Sequence, residues 1–355
     1  MLYVGTSRDL RTRVRSYFTA SETRSRMGEM VALASKVTAI ECATPLEAEV
    51  RELRLIALHK PRYNRRSRFP EKVHWIKLTD EPWPRLSLVR QVLDDADDGA
   101  DYLGPFPSRK AAEKCLAALH EAFPVRQCSG RLPLLPSRSP CVLAEMDRCL
   151  SPCDGSVEPD TYAAMVGDLR DNLVHRADEV VEALTGRMAT LALGERYEEA
   201  TVHRDRLAAF VRAAARMQRL SSLIECRHLV AARPAADRPR HWELAVIRSG
   251  RLAATAVMPA DAAPATFVAA LVASAETVEP GPGPLPAALA EETEVILRWL
   301  DQPGTRLVEL DGQWAVPLHG AESVKERIDT AYGYDGPLAE KGLRRDLRPM
   351  HRPAR

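Results

Sequence analysis

Five side chains near the beginning of the sequence offer the chemistry that hydrolysis of a phosphodiester requires. They are Tyr3, Arg13, Tyr17, Glu52 and Asn64. This reaction needs a carboxylate that holds a metal ion, a cation that meets the charge building on phosphorus, and a group that orients or deprotonates water. Glu52 would hold Mg²⁺, or Mn²⁺ in its place, with most of the ion's shell left to water and phosphate. Arg13 would bind the phosphate, and Tyr3 or Tyr17 would position or activate the nucleophile.

Each of these residues taken alone has an ordinary structural explanation. A tyrosine on a strand is usually half-buried packing, and a glutamate such as Glu52 on an amphipathic helix usually lies on its solvated face. The hypothesis of a hydrolytic site therefore depends on the five residues as a set.

Four cysteines form a second candidate site. The chain has seven cysteines, an odd number in a sequence with no secretory signal, which favours thiols or metal ligands over disulfides. Four thiolates can bind zinc or an iron–sulfur cluster. The spacing differs from the Cys-x-x-Cys pairs of ordinary zinc ribbons, so free thiols in a loop-rich linker are the alternative. The four are Cys128, Cys141, Cys149 and Cys153.

A helical hairpin over residues 188–207 is a third candidate. Its small side chains permit the close approach of another helical hairpin, and its charged residues suit a partner surface. Packing within the chain is the ordinary alternative. The residues expected to contact a partner are Tyr197, Glu198, Ala200, Arg204, Asp205 and Leu207.

The charge of the chain is concentrated at one end. The formal net charge is +1, yet residues 1–77 hold sixteen Lys and Arg against eight Asp and Glu. We expect this end to follow a nucleic-acid backbone, with strongly salt-dependent affinity and little sequence preference. The expected DNA-binding residues are Arg8, Arg11, Arg15, Lys60, Arg62, Arg65, Arg66 and Arg68.

Composition indicates a globular protein of two or three domains. The chain has 355 residues, of which 45% are hydrophobic and 28% charged. No signal peptide and no apolar stretch long enough to span a membrane is visible, which predicts a cytoplasmic protein without a membrane partner.

The elements that would position the first site can be read from hydrophobic spacing and caps. Thr44-Pro45-Leu46-Glu47 is a capping box with proline at the first helical position, and it predicts a helix that carries Glu52 near the edge of its buried face. The elements expected here are strands at 2–5 and 37–42 and helices at 7–17, 22–36 and 45–59.

The rest of the chain is expected to alternate between helical and strand-rich regions. The predicted elements are a strand at 73–78, a loop at 94–101, a helix at 110–123, a Pro- and Cys-rich segment to 155, helices at 159–184 and 197–221, a hairpin at 242–257, helices at 265–275 and 287–300, and a basic tail from 341.

The segments 2–18 and 47–64 resemble the GIY-YIG nuclease domain of the UvrC/Cho excinuclease family. The resemblance implies that Glu52 binds metal, Arg13 binds phosphate, Tyr3 and Tyr17 support or activate the nucleophile, and Asn64 closes the site. The family usually has lysine where this chain has Thr6, which implies one weaker phosphate contact.

The first half of the family motif, a strand with Gly-Ile/Val-Tyr, belongs upstream of Tyr3. We therefore expect an N-terminally truncated domain, most like the C-terminal portion of a fusion between a DEDD exonuclease and a GIY-YIG nuclease. The segments 102–108, 123–128 and 141–153 also resemble UvrC, which implies a 4Fe-4S cluster on the four cysteines with zinc as the alternative. The hairpin at 188–207 resembles the UVR motif, which implies docking to a UvrB-type helicase subunit.

The expected fold class is multidomain α/β. The expected division is a nuclease domain without its first strand at 1–78, a linker with the cysteine cluster at 79–157, a helical region with the UVR-like hairpin at 158–225, a degenerate α/β domain with an RNase H-like start at 226–320, and a basic tail at 321–355. The resemblance implies a metal-dependent, structure-specific DNA endonuclease that cuts damaged double-stranded DNA on the 3′ side in nucleotide excision repair. The alternatives are a catalytically impaired DNA-binding and subunit-docking module, or a metal-cluster sensor.

Overall fold

The computed structural model describes residues 1–19, 23–92, 100–135 and 139–331, and it confirms the multidomain α/β class. The N-terminal elements are α1 (Leu10–Ser16), α2 (Ser25–Leu33) and α3 (Pro45–His59). The middle elements are β1 (His74–Leu78), β2 (Leu86–Val89), β3 (Asp101–Phe106), α4 (Arg109–Ala122), α5 (Val142–Glu145), α6 (Pro159–Val174), α7 (Asp178–Leu193) and α8 (Tyr197–Ile224). The C-terminal elements are β4 (His228–Pro234), β5 (Trp242–Arg248), β6 (Arg251–Met258), α9 (Pro264–Ser274), α10 (Ala290–Leu300), β7 (Arg306–Asp311) and α11 (Glu322–Ala331).

Helix α3 has the predicted bounds because its caps are local. The Thr44 side chain accepts a hydrogen bond from the Glu47 backbone N–H at 3.1 Å, and the Glu47 carboxylate accepts one from the Ala43 N–H at 2.7 Å. The helix ends at Lys60, whose φ of 45° lies in the left-handed region, immediately before Pro61.

The two strands predicted in this region are wrong. Residues 2–5 and 37–42 are not paired in either sheet of the described chain. The backbone N–H and carbonyl of Val4 form hydrogen bonds with the side chain of Asn64, where in a sheet they would bond to a neighbouring strand. Residues 37–41 are exposed, and strand propensity cannot form a ladder where no neighbouring strand supplies donors and acceptors.

The middle of the chain folds around an antiparallel sheet in the order β2-β1-β3. Segment 79–157, expected to be a linker, supplies β2, β3 and α4, and these pack with β1 and with helices α6 to α8 around one buried cluster. The domain division itself stays a prediction. Residues 94–99 of the predicted loop at 94–101 lie outside the described residues.

The single helix predicted at 159–184 is two helices. Helix α6 ends at His175, whose backbone N–H bonds to the Asp171 carbonyl, and α7 begins at Asp178. Acidic Asp178 and Glu179 suit the positive end of the new helix dipole. The hydrophobic spacing of the sequence continues across residues 175–177, so the spacing alone did not indicate a break between two helices.

The C-terminal sheet is antiparallel in the order β6-β5-β4-β7, and helices cover both of its faces. Val230 and Val246 pack towards α9, whereas Leu229 and Ala245 pack towards α10. The predicted hairpin is confirmed: Ser249 and Gly250, with φ of 47° and 77°, form its turn. Strands β4 and β7 were not predicted, and α11 lies where a tail was expected from 321; residues 332–355 are outside the described part.

Helix α3 is attached to this C-terminal unit. Leu46 and Val50 belong to the same buried cluster as Trp299 and Leu300 of α10. Arg54 binds the carboxylate of fully buried Glu292 through two nitrogens, at 2.7 and 2.9 Å. The helix that carries Glu52 is thus held by the C-terminal unit.

Among the described helices, none combines the length and apolarity that a membrane crossing requires.

Candidate functional site

Asn64 fixes the first residues of the chain beside the end of α3. Its side-chain oxygen accepts a hydrogen bond from the Val4 N–H, and its side-chain nitrogen donates one to the Val4 carbonyl, both at 2.9 Å. The Tyr63 N–H donates to the Leu2 carbonyl at 3.0 Å. Asn64 is buried, so these bonds are protected from water. Asn64 thus joins the first residues of the chain to the end of α3, and its role in closing a catalytic site stays a prediction.

Glu52 is half-buried and meets the N-terminal segment directly. The Thr6 hydroxyl donates a hydrogen bond of 2.9 Å to Glu52 Oε2. Burial raises the pKa of the Glu52 carboxyl, and the charge of Glu49 adds to the rise, while the bonds from Thr6 and the charge of Arg13 oppose it. A carboxylate oxygen is the kind of ligand that a hydrated Mg²⁺ or Mn²⁺ ion takes, with most of the ion's shell left to water.

Arg13 and two tyrosines complete the cluster. The rings of Tyr3 and Tyr17 meet edge to face with centroids 6.1 Å apart, and the Arg13 guanidinium lies 5.4 Å from the Tyr17 centroid. Burial, together with the neighbouring Tyr3, raises the pKa of Tyr17 to about 12. Tyr17 therefore stays protonated at neutral pH and is suited to donate a hydrogen bond, not to act as a base.

The structure thus brings all five predicted residues into one cluster. Thr6 and Glu49 are neighbours of Glu52 that the sequence hypothesis did not include. The sequence feature that could have indicated a role for Thr6 is its position immediately after the Tyr3-Val4-Gly5 motif. The family resemblance implied only that Thr6 replaces a lysine. A carboxylate, a guanidinium and two phenols thus lie close together at the N-terminal segment.

The predicted DNA-binding residues lie on the outside of the same N-terminal segment. Arg8, Arg11 and Arg15 are exposed on or just before α1, and Arg65 and Arg66 are exposed beyond α3. Three others are engaged: Lys60 pairs with Glu71 at 2.9 Å, Arg62 pairs with Glu29 at 2.8 Å, and Arg68 stacks 4.7 Å from the centre of the Phe69 ring. Whether they bind DNA stays a prediction.

The four cysteines are free thiols. Burial raises the pKa of Cys149, and the charges of Cys141, Cys128 and Cys153 act in the same direction. Donors point at the sulfurs: the Ser151 N–H lies 3.4 Å from Cys149 Sγ, and buried Arg126 lies 3.3 Å from Cys128 Sγ. In the described part of the chain, no three ligating side chains already stand at metal-binding distance.

The predicted partner surface is divided between the outside and the inside of the molecule. Tyr197 and Glu198 are exposed at the turn between α7 and α8, where Leu193 is 89% exposed. Leu207 is buried in the chain's own core, and Asp205 is bound by Lys114 of α4 at 2.9 Å. Ala200 and Arg204 are partly exposed. The freely accessible part of the surface is the hairpin turn.

Two family models match the chain. Residues 1–65 match the UvrC-like GIY-YIG domain, and residues 73–172 match the middle domain of the UvrC/Cho excinuclease. No solved structure matches the chain.

Curated relatives extend this similarity. A Mycobacterium tuberculosis protein named "Putative bifunctional exonuclease/endonuclease protein" is 37% identical over 98% of this chain and 55% of its own length. The UvrABC system protein C of Desulforudis audaxviator is 35% identical over 71% of this chain and 40% of its own length. That of Thermus thermophilus is 35% identical over 59% of this chain and 34% of its own length. The chain spans about half or less of these relatives.

Proposed function

We propose that this chain, which carries a UvrC-like GIY-YIG domain followed by a UvrC/Cho excinuclease middle domain, is a metal-dependent, structure-specific DNA endonuclease of nucleotide excision repair. The two domain matches support an excision-repair endonuclease in general terms. The observation that carries the specific proposal is the convergence of Glu52, Arg13 and Tyr3 at the N-terminal segment, because it combines a ligand for a metal with a cation for phosphate.

The residues divide the work according to their surroundings. Glu52 would hold Mg²⁺ or Mn²⁺, which when bound polarises the phosphoryl oxygen and makes water more acidic. Arg13 contacts the phosphate and neutralises charge that develops on phosphorus. Tyr17, protonated because of its raised pKa, donates to the reacting group, and Tyr3 is the phenol that orients or activates water. Asn64 keeps Tyr3 in place through the backbone of its neighbour Val4.

We also propose the partners. The substrate is damaged double-stranded DNA, contacted along its backbone by the basic side chains of α1 and of residues 60–68, and incised on the 3′ side by analogy with UvrC. A UvrB-type subunit would dock at the exposed turn between α7 and α8, where Leu193 and Tyr197 offer apolar surface.

The cysteine cluster is proposed to hold a 4Fe-4S cluster, with zinc as the alternative. Two observations support this proposal: the other three cysteines act electrostatically on Cys149, and nitrogen donors face two of the sulfurs, as is common around bound thiolates. The role is structural: the bound group would tie the segment around Cys128 and Cys141 to that around Cys149 and Cys153.

The decisive experiment is cleavage of an end-labelled, damage-containing duplex by the full chain with Mg²⁺ or Mn²⁺. Loss of cutting in Glu52→Ala, with cutting retained in Glu49→Ala on the same helix, would support the proposal. Binding of the duplex without cutting by the unchanged chain would favour the non-catalytic DNA-binding module instead.

A further inference from the structure

A second group of cations surrounds a single carboxylate far along the chain from the nuclease cluster. Glu121, at the end of α4, has Arg148 and Arg206 at 3.2 and 3.4 Å from Oε2. Arg187 of α7 and His203 of α8 lie 3.9 Å from its other oxygen, Oε1. We call Glu121, Arg148, Arg187, His203 and Arg206 the Glu121 cluster. Its members come from α4, α7, α8 and the cysteine-rich segment.

The Glu121 cluster has a surplus of positive charge. Three guanidiniums, always charged at neutral pH, share one carboxylate. Nearby acids are already engaged by other cations: Asp205 by Lys114 and Arg204, and Glu199 by Arg196.

Two histidines lie beside these arginines and are kept neutral mainly by burial. Burial, together with the charge of Arg148, lowers the pKa of His120 to about 4. Burial also lowers the pKa of His203, with the charge of Glu121 opposing the shift and those of Arg206, Arg187 and Arg148 adding to it. Both histidines are therefore neutral at physiological pH and do not change the surplus, which stands at two charges for the described members of the cluster.

The surplus faces solvent. The side chains of Arg187 and Arg148 are 50% and 40% exposed, whereas that of Glu121 is only 17% exposed. The carboxylate thus lies beneath the guanidiniums and holds them together, leaving N–H groups free to meet an anion from outside. Guanidinium groups bind phosphate oxygens in a bidentate manner, and convergence from separate elements fixes them in advance.

We propose that the Glu121 cluster is a phosphate-binding site for the DNA backbone, separate from the basic N-terminal segment. The inference rests on the proposed function in one respect, that the anion is DNA. An ordinary intramolecular ion-pair network is the competing explanation, and it differs in one measurable way: it predicts no change in the salt dependence of DNA binding.

The test is the affinity of the full chain for a fluorescent duplex, measured by anisotropy over a series of salt concentrations in the Glu52→Ala background, which keeps the DNA uncut. Arg148→Gln and Arg187→Gln should each weaken binding and reduce the slope of log K against log salt by about 1.

Arg109→Gln is the matched control, because Arg109 is an exposed arginine on α4 paired one to one with Glu113 at 2.7 Å; its slope should stay at the starting value. An unchanged slope in both Arg148→Gln and Arg187→Gln, in proteins folded by circular dichroism, would overturn the inference. Cleavage by the chain with Glu52 intact is measured separately. If the chain with Glu52 intact does not cut the duplex, while Arg148→Gln and Arg187→Gln reduce the salt slope, the proposed nuclease is refuted and the phosphate site is retained.

Discussion

The Thr6 hydroxyl donates a hydrogen bond of 2.9 Å to Glu52 Oε2 across 46 residues of sequence. This bond joins the residue that follows the Tyr3-Val4-Gly5 motif to the proposed metal ligand on α3. It restricts the rotation of the carboxylate. Thr6 therefore contacts Glu52, the acid that we propose as the metal ligand, and holds its carboxylate in one orientation.

Thr6→Val should weaken binding of Mn²⁺ at Glu52, whereas Thr6→Ser should preserve it. Valine has nearly the same shape but cannot hold the carboxylate in position, and loss of such an outer-shell partner typically lowers metal affinity by about tenfold or more. Calorimetric titration with Mn²⁺ measures this directly. Thr190→Val, which removes a hydroxyl bonded to a carbonyl within α7, is the control. Equal affinities of Thr6→Val and Thr6→Ser would contradict the role given to the hydroxyl.

Glu52 should reduce the stability of the metal-free protein at neutral pH. Burial raises its pKa in the folded state, so folding favours the protonated form. The stability that this residue contributes is present below its unfolded pKa of about 4.3 and is lost as the pH rises through the folded value. Glu52→Gln should therefore be more stable than the unchanged chain at pH 7 and equal to it near pH 4.

Urea unfolding in EDTA at the two pH values is the measurement. Glu49→Gln is the control, because Glu49 lies on the same helix with a side chain that is 55% exposed. A gain for Glu52→Gln of the same size at both pH values would show that the effect does not come from ionisation.

The sequence predicted those elements whose causes are local. Helix α3 followed from its capping box, and the hairpin of β5 and β6 from Ser249 and Gly250. The strand expected at residues 2–5 failed because its backbone partner is a side chain, Asn64, sixty residues away. Strand β7 was not predicted because its residues do not alternate between buried and exposed positions; all of them are exposed.

The candidate site shows the same division. Tyr3, Arg13 and Glu52 were recognisable because motif spacing preserves their types. The Thr6 contact, and the attachment of α3 to the C-terminal unit through Arg54, depend on which surfaces meet in three dimensions. Nothing in local spacing indicates such contacts.

Arg54→Met should destabilise the chain by about 3 kcal/mol. The substitution leaves Glu292, which is fully buried, without the cation that offsets its desolvation. The Leu252 N–H, 3.0 Å from Glu292 Oε1, cannot replace a full charge. Combining Arg54→Met with Glu292→Gln should restore most of the lost free energy of unfolding. Urea denaturation of the three variants measures the coupling, and additive losses would show that the two side chains act independently.

Arg126→Met should loosen the cysteine cluster and lower the metal content of the purified chain. Arg126 is fully buried and donates to the carbonyls of Cys128 and Gly130 at 2.9 and 2.8 Å, while it also pairs with Glu81 at 2.9 Å. Methionine fills similar space but makes none of these bonds, so the backbone that carries Cys128 loses its anchor and Glu81 loses its cation. Iron and zinc analysis with visible absorption, after anaerobic purification, measures the effect. Arg131→Met, an exposed arginine of the same segment, is the control and should keep its metal. Undiminished metal in Arg126→Met would show that the cysteines are positioned without it.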